Sequence, residues 1–270
     1  LSIEVSNLSF SYGDRLILDR VSFTAMDNQL LSILGPNGVG KTTLFRCILG
    51  LLKGYDGHAL LNGINIKGLS IKDMAKLIAY VPQSHYPSFN FSVFDMVLMG
   101  TTNQVSTISS PGQMQVKLVN AVLERLGIYH LKNHGYFRIS SGERQLALIA
   151  RALVQETKIL LLDEPTSNLD YGNQVLVLTQ IKSLAKEGYT IIQSTHNPDQ
   201  TFMFSDVVLA LKNGRIMACG APRDIYTENL IQNLYGVDVE MQSFYEDKAK
   251  FCIPKIIIEE DYNHRFNSNM

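Results

Sequence analysis

Residues 35 to 42 read Gly35-Pro36-Asn37-Gly38-Val39-Gly40-Lys41-Thr42 and satisfy the pattern G-x-x-x-x-G-K-[ST]. Glycines at 35, 38 and 40 let the backbone curl so that successive N–H groups point at one anion. Lys41 supplies a compact positive charge for the outer phosphates, and Thr42 a hydroxyl for Mg²⁺. The apolar run Leu30-Leu31-Ser32-Ile33-Leu34 predicts a buried strand before the loop. Thr43 to Leu49 predicts a helix after it, whose N-terminal dipole also favours phosphate. Strand, glycine loop and helix in this order constrain the chain to an α/β fold that binds a nucleoside triphosphate.

A second strand signal carries acids. Ile159-Leu160-Leu161-Leu162 closes on Asp163-Glu164, as a buried parallel strand does at its C-terminal end. Parallel sheets bind ligands outside those ends, so both carboxylates are expected beside the phosphate loop. Alternation along the strand points them opposite ways, which predicts two roles: Asp163 for Mg²⁺, Glu164 for the attacking water. His196 follows the apolar strand 190–193 and is expected at the same rim, where an imidazole can hydrogen-bond the γ-phosphate.

At this point the chain resembles the ATP-binding subunits of ATP-binding-cassette (ABC) transporters, from about residue 3 to 235. Tyr12 in Phe10-Ser11-Tyr12-Gly13 matches the aromatic that stacks on adenine, or is a strand-edge core residue. Gln83 in Tyr80-Val81-Pro82-Gln83 matches the glutamine loop, Ser167-Asn168-Leu169-Asp170 the D-loop, and Ser194-Thr195-His196 the switch histidine. Ile139-Ser140-Ser141-Gly142-Glu143-Arg144-Gln145 resembles the signature segment, which in the family caps ATP bound to the other subunit. Ser141 replaces a family glycine: its Cβ narrows φ/ψ and crowds the phosphate, or its hydroxyl adds a donor. Glu143 stands where the segment is usually written with Gln.

The resemblance implies a P-loop, RecA-like ABC core with an antiparallel β subdomain and an inserted helical subdomain. ATP would contact Tyr12, Gly35, Pro36, Asn37, Gly38, Val39, Gly40, Lys41, Thr42, Thr43, Asp163 and Asp170, with Ser140, Ser141, Gly142 and Glu143 reaching the second site of a homodimer. Mg²⁺ would be held by Thr42, Gln83 and Asp163; Glu164, His196 and Gln83 would serve hydrolysis. The expected division is core at 1–83 and 157–235, helical subdomain at 84–156 and a C-terminal extension at 236–270. The extension reads as a hairpin on the core or a regulatory piece, with strands suggested at Phe251 to Pro254 and Ile256 to Ile258.

Composition agrees. The 270 residues are 46% hydrophobic, enough for a sizeable core, and a net charge of −1 without basic runs gives no argument for nucleic acid. Three cysteines lack metal-ligand spacing, and His130 with His134 lacks an acidic or cysteine partner close in sequence. No apolar run approaches the roughly 20 residues that span a bilayer, so any channel is expected on another chain. Within the helical part, Ser92 and Asp95 predict a capping box for a helix through Met99. Residues 101–115 read as a loop, and Val119, Val122, Leu123 and Leu126 mark a helix over 116–126. Tyr86, Phe89 and Phe91 either form a groove for a membrane subunit's helix or pack inside.

Three functions fit: importer ATPase, exporter ATPase, and a soluble ABC ATPase acting on ribosomes or DNA. A single cassette without long coiled-coil heptads favours transport. Ser92 to Gly100, Tyr235-Gly236-Val237-Asp238-Val239 and Ile253-Pro254 resemble importers for iron–siderophore, haem and cobalamin. That resemblance implies permease subunits, an extracytoplasmic solute-binding protein, and a peripheral place on the cytoplasmic face of the membrane.

Overall fold

A computed structural model describes residues 2–85, 87–103, 111–246 and 249–256. Strands β1 (Ile3–Tyr12) and β2 (Arg15–Ala25) open the chain and pair antiparallel, with Ile3 opposite Ala25 and Tyr12 opposite Arg15. Burial largely alternates along both strands, the one-sided pattern of an antiparallel sheet with one covered face. The fully buried β3 (Leu30–Leu34) runs into the glycine loop and α1 (Lys41–Ile48). Next come β4 (Asp56–Leu61) and β5 (Ile64–Asn65), joined at Asn62-Gly63 with both residues at positive φ, the backbone a two-residue hairpin requires. The resulting sheet has the order β2-β1-β4-β5.

After the short α2 (Ile71–Met74) and β6 (Ile78–Val81), the chain turns helical: α3 (Val93–Leu98), α4 (Gln113–Arg125) and α5 (Ser141–Leu153). Strand–helix alternation resumes with β7 (Ile159–Asp163), α6 (Tyr171–Lys186), β8 (Thr190–Thr195), α7 (Pro198–Phe204) and β9 (Val207–Lys212). The chain continues through β10 (Arg215–Gly220), α8 (Pro222–Ile225), α9 (Glu228–Tyr235) and a hairpin of β11 (Val239–Phe244) with β12 (Ala249–Pro254). The second sheet has the order β10-β9-β3-β8-β7-β6, parallel except for β10.

This central sheet is buried on both faces, which is why its strands are continuously apolar. Along β7, Ile159 and Leu161 join α1 and the antiparallel sheet in one core, while Leu160 and Leu162 join α3 to α6 in another. Each such side chain contributes about 1.5–3 kcal/mol by leaving water. A third core gathers Leu34, Phe202, Val208, α9 and Val239, with Met241 and Cys252 of the C-terminal hairpin packed against it. The hairpin is further tied down by Cys252 N–H donating to Asp199 Oδ1 of α7 at 3.1 Å.

Three local expectations change. The loop expected at 101–115 ends earlier, because α4 starts at Gln113, where Gln115 Oε1 accepts from Gly112 N at 3.0 Å; residues 104–110 lie outside the described part. At Ser92 the cap forms, with the hydroxyl accepting from Asp95 N at 3.0 Å. The Asp95 carboxylate, however, accepts a hydrogen bond from the Ser92 hydroxyl at 2.6 Å instead of from the Ser92 backbone, and α3 ends at Leu98. β12 ends at Pro254, and Ile257 and Ile258 lie outside the described residues, as does Tyr86. Phe89 is 71% exposed, whereas Phe91 packs against the helical core, so the expected aromatic group divides between the two readings.

Candidate active site

Neighbours in the central sheet bring distant loops together. β3 sits beside β8 with Leu34 opposite Thr195, and β8 beside β7 with Ser194 opposite Asp163. Strands lie about 4.8 Å apart, so the chain leaves all three within roughly 10 Å at one sheet edge. Gly35 N–H donates to Thr195 O at 3.2 Å, fixing the first residue of the glycine loop. Gly40 takes φ +109° with Leu18 Cδ2 2.9 Å from where a Cβ would stand, so only glycine fits without strain before α1.

Lys41 is 5% exposed. Its Nζ donates to Gly35 O at 2.8 Å and Pro36 O at 3.1 Å, and lies 3.2 Å from Glu164 Oε1. Desolvation holds the ammonium pKa below its usual range, and the Glu164 charge partly offsets that.

Asp163 closes β7 and is 2% exposed. Its two oxygens accept from Ser194 Oγ at 2.6 Å and from the Tyr80 hydroxyl at 3.2 Å. Burial first, and the Asp163 charge second, push the Tyr80 phenol pKa up and keep it a donor. Ser194 also accepts from Glu164 N at 2.9 Å, so one hydroxyl clamps both acidic residues. Glu164 itself adopts φ +46°. This left-handed residue, not strand alternation as expected from the sequence, turns its side chain away from Asp163. Backbone strain of this kind costs about 1–3 kcal/mol and concentrates at functional sites.

On Glu164 the site converges. Oε2 accepts from Gln83 Nε2 at 3.1 Å and lies 3.4 Å from His196 Nδ1, while Oε1 faces Lys41. His196 is half-exposed. Around Glu164 is a cleft of about 250 Å³ reached also by Asn37, Thr166, Asn197 and Gln200. On the other side of the loop, Pro36 to Val39 border a cleft of about 420 Å³ with Arg15, Ile17 and Lys212. Tyr12, opposite Arg15 in the hairpin, is exposed and stands edge-on to Phe10. Thr42 and Thr43 begin α1.

The signature segment lies on α5. Ser140 Oγ accepts from Glu143 N at 3.3 Å and Glu143 Oε2 from Ser140 N at 2.7 Å, a complete capping box. The Ser140 N–H bond holds the Glu143 carboxyl pKa below its usual range. Ser141 is the first helical residue without positive φ, so the expected backbone conflict of its Cβ is absent. Gly142 is required by packing: a Cβ there would stand 2.1 Å from Asn173 Oδ1 of α6. Asp170 caps α6, its oxygens accepting from Asn173 N at 2.9 Å and Asn173 Nδ2 at 2.6 Å. Its carboxylate is thus engaged in the cap and lines neither cleft beside the glycine loop. Among the described residues no group of three metal-ligating side chains forms, around His130 and His134 included.

Sequence reading passed over Ser194 and Tyr80 as participants, although both stood inside quoted motifs. The signal was the strand register that sets Ser194 opposite Asp163.

The ABC transporter family profile matches residues 18–167, more than half the chain. The chain belongs to the ABC transporter ATP-binding family. This ABC ATPase is 41% identical over 249 residues to the "Probable iron chelatin transport ATP-binding protein" of Helicobacter pylori strain J99, covering 91% of this chain and 97% of the relative. It is 32% identical to the "Ferric enterobactin transport ATP-binding protein FepC" of Escherichia coli K12, covering 85% of each. The solved chain described as "An inward-facing conformation of a putative metal-chelate type ABC transporter" superposes with a TM-score of 0.84 at 30% identity, covering 95% of this chain and 98% of that one. As an ABC transporter ATPase it binds and hydrolyses ATP. No helix among the described residues is long and apolar enough to cross a membrane.

Proposed function

We propose that this ATPase drives a membrane importer for an iron chelate, haem or a cobalamin-type solute, as a homodimer on the cytoplasmic face of separate permease chains supplied by an extracytoplasmic solute-binding protein. The observation that carries the hydrolytic part is the convergence of Lys41, Gln83 and His196 on Glu164 at the edge of the parallel sheet. Relatives named for iron chelatin, hemin, hydroxamate and enterobactin favour import over export or a soluble role on ribosomes or DNA.

In this reading ATP lies along the glycine loop from Gly35 to Thr43, with Tyr12 against the adenine. Lys41 exchanges its Glu164 partner for the outer phosphates, to which its charge is better matched. Freed, Glu164 accepts a proton from the attacking water, and His196 orients the γ-phosphate. Ser140 to Glu143 and Asp170 complete the partner subunit's site, where α5 presents a 13-residue helix N-terminus to the second nucleotide. Thr42, Asp163 and Gln83 fit Mg²⁺: all offer hard oxygen, and the Gln83 amide nitrogen already faces Glu164, which leaves its carbonyl for a cation. The ion, when bound, neutralises charge on the β- and γ-phosphates.

Exposed Phe89 suits a permease-docking groove on the helical part. The test is to tag Glu164→Gln, hold it with ATP in its native cells, solubilise membranes in mild detergent and identify what co-purifies. A multi-spanning chain at stoichiometric amount supports the transporter; recovery from the soluble fraction with ribosomes or nucleic acid sinks that reading and leaves the ATPase intact.

A further inference from the structure

A further cleft, about 130 Å³, lies between α5 and residues 167–169, which lead toward α6. Its helical wall is Ser141, Arg144, Gln145 and Leu148, spaced i, i+3, i+4 and i+7, so one face of α5 forms it. Gln83, Ser167 and Asn168 line both this cleft and the one around Glu164, which makes the two adjoining chambers. One water needs roughly 10–15 Å³ on the same measure, so the chamber has room for a tetrahedral oxyanion and several waters.

The chemistry of the wall is one-sided. No lining residue is acidic, and Ser84 and Ser141 bring hydroxyls, while Ser167 Oγ already donates to Glu164 O at 2.9 Å. Gln145 is 7% exposed, yet its Nε2 has no hydrogen-bond partner. An unsatisfied buried donor of this kind costs about 1–3 kcal/mol until an acceptor arrives. The Arg144 guanidinium is oriented by Nη1 donating to Ile139 O at 2.6 Å. Arg151 Nη1 faces His85 Nε2 at 3.2 Å. A guanidinium only donates, so Nε2 accepts and the neutral His85 ring carries its proton on Nδ1.

We propose that this chamber receives inorganic phosphate, the product of hydrolysis, before it leaves the protein. The inference rests on the adjoining cleft being the hydrolysis site. Once the γ-phosphate is cleaved, ADP still fills the glycine loop, and when Glu164 hands the proton it took from water on to the phosphate, its carboxylate again faces an anionic phosphate across the same cleft. Repulsion drives the phosphate out of that cleft, and the wall the two clefts share among the described residues, Gln83, Ser167 and Asn168, leads to donors without an acid.

The experiment titrates inorganic phosphate into the full chain saturated with ADP, followed by calorimetry. One phosphate per chain is expected. Gln145→Leu, which removes the orphan donor with similar volume, and Ser84→Asp, an exposed position that adds a carboxylate to the lining, should each weaken phosphate by about tenfold or more. ADP affinity should be unchanged in both. Phosphate affinity that survives both substitutions, or no phosphate binding to the ADP-loaded wild type, overturns the chamber while leaving the nucleotide site standing. ADP that fails to bind, or binds equally well to Lys41→Ala, overturns the nucleotide site and the chamber with it.

Discussion

Gly142→Ala offers a quantitative test of how α5 meets α6. An added Cβ would lie 2.1 Å from Asn173 Oδ1 and 2.4 Å from its Cγ, well inside contact distance. Asn173 has little freedom to retreat, because its amide donates to Asp170 Oδ2 at 2.6 Å and its backbone N–H to Oδ1 at 2.9 Å. Overpacking of this size costs about 1–3 kcal/mol. Losing the solvent-exposed amide bond to the carboxylate adds about 1 kcal/mol, and the better helix propensity of alanine returns at most about 1. The net is about 2 kcal/mol of destabilisation, which for a chain of this length lowers the melting temperature by about 4–8 °C. Thermal unfolding of wild type, Gly142→Ala, Asn173→Ala and the double variant forms a cycle. Asn173→Ala removes the two shortest contacts but keeps its Cβ, 2.8 Å from the new methyl, so the double variant should recover part of the loss, with a coupling of about 1 kcal/mol or more. Additive losses, or a Gly142→Ala protein as stable as wild type, would refute the steric argument.

Glu164→Gln should cut steady-state phosphate production by about 10²–10⁴-fold while ATP still binds; a wild-type rate would remove Glu164 from the reaction. Phe89→Ala should leave melting temperature and ATP binding unchanged but lose the co-purifying membrane chain, since Phe89 is exposed. Phe91→Ala, cut from the helical core, should cost about 2 kcal/mol in denaturant unfolding. Burial pushes the Cys47 thiol up to about 12, so alkylation of the native protein at pH 8 should reach exposed Cys219 and spare Cys47. Because the folded pKa lies above the unfolded value, the Cys47 contribution is whole below about pH 9 and lost as pH rises toward 12. Cys47→Ala should therefore flatten the alkaline fall in stability, and an unchanged slope would contradict the assignment.

Much of the site was legible because its chemistry dictates residue type. A glycine loop ending in Lys41-Thr42, acids closing an apolar run at Asp163-Glu164, and a histidine after β8 all fall at one sheet edge. Antiparallel β1 and β2 and the Asn62-Gly63 turn were equally readable, since period-two burial and turn geometry are local. What escaped depends on three-dimensional neighbours. The φ of Glu164 is set where β7 ends, the Ser194 clamp joins residues 30 and 31 apart in sequence, and the Lys41–Glu164 pair joins loops more than a hundred residues apart. The start of α4 was hidden because Gln113 to Gln115 look like loop residues until Gln115 turns back on Gly112.

The placement of β3 between β8 and β9 has a consequence for biogenesis. The glycine loop is synthesised early, but both strands that flank β3 come from the last third of the chain, at residues 190–195 and 207–212. On the ribosome this apolar strand therefore waits, unpaired, for more than 150 further residues to be made, as a high-contact-order sheet must. During that interval it is a template for wrong pairing and a natural client for holding chaperones. ATP gripped by the finished site would bind only the closed sheet, so cellular nucleotide pulls the last folding step forward by mass action.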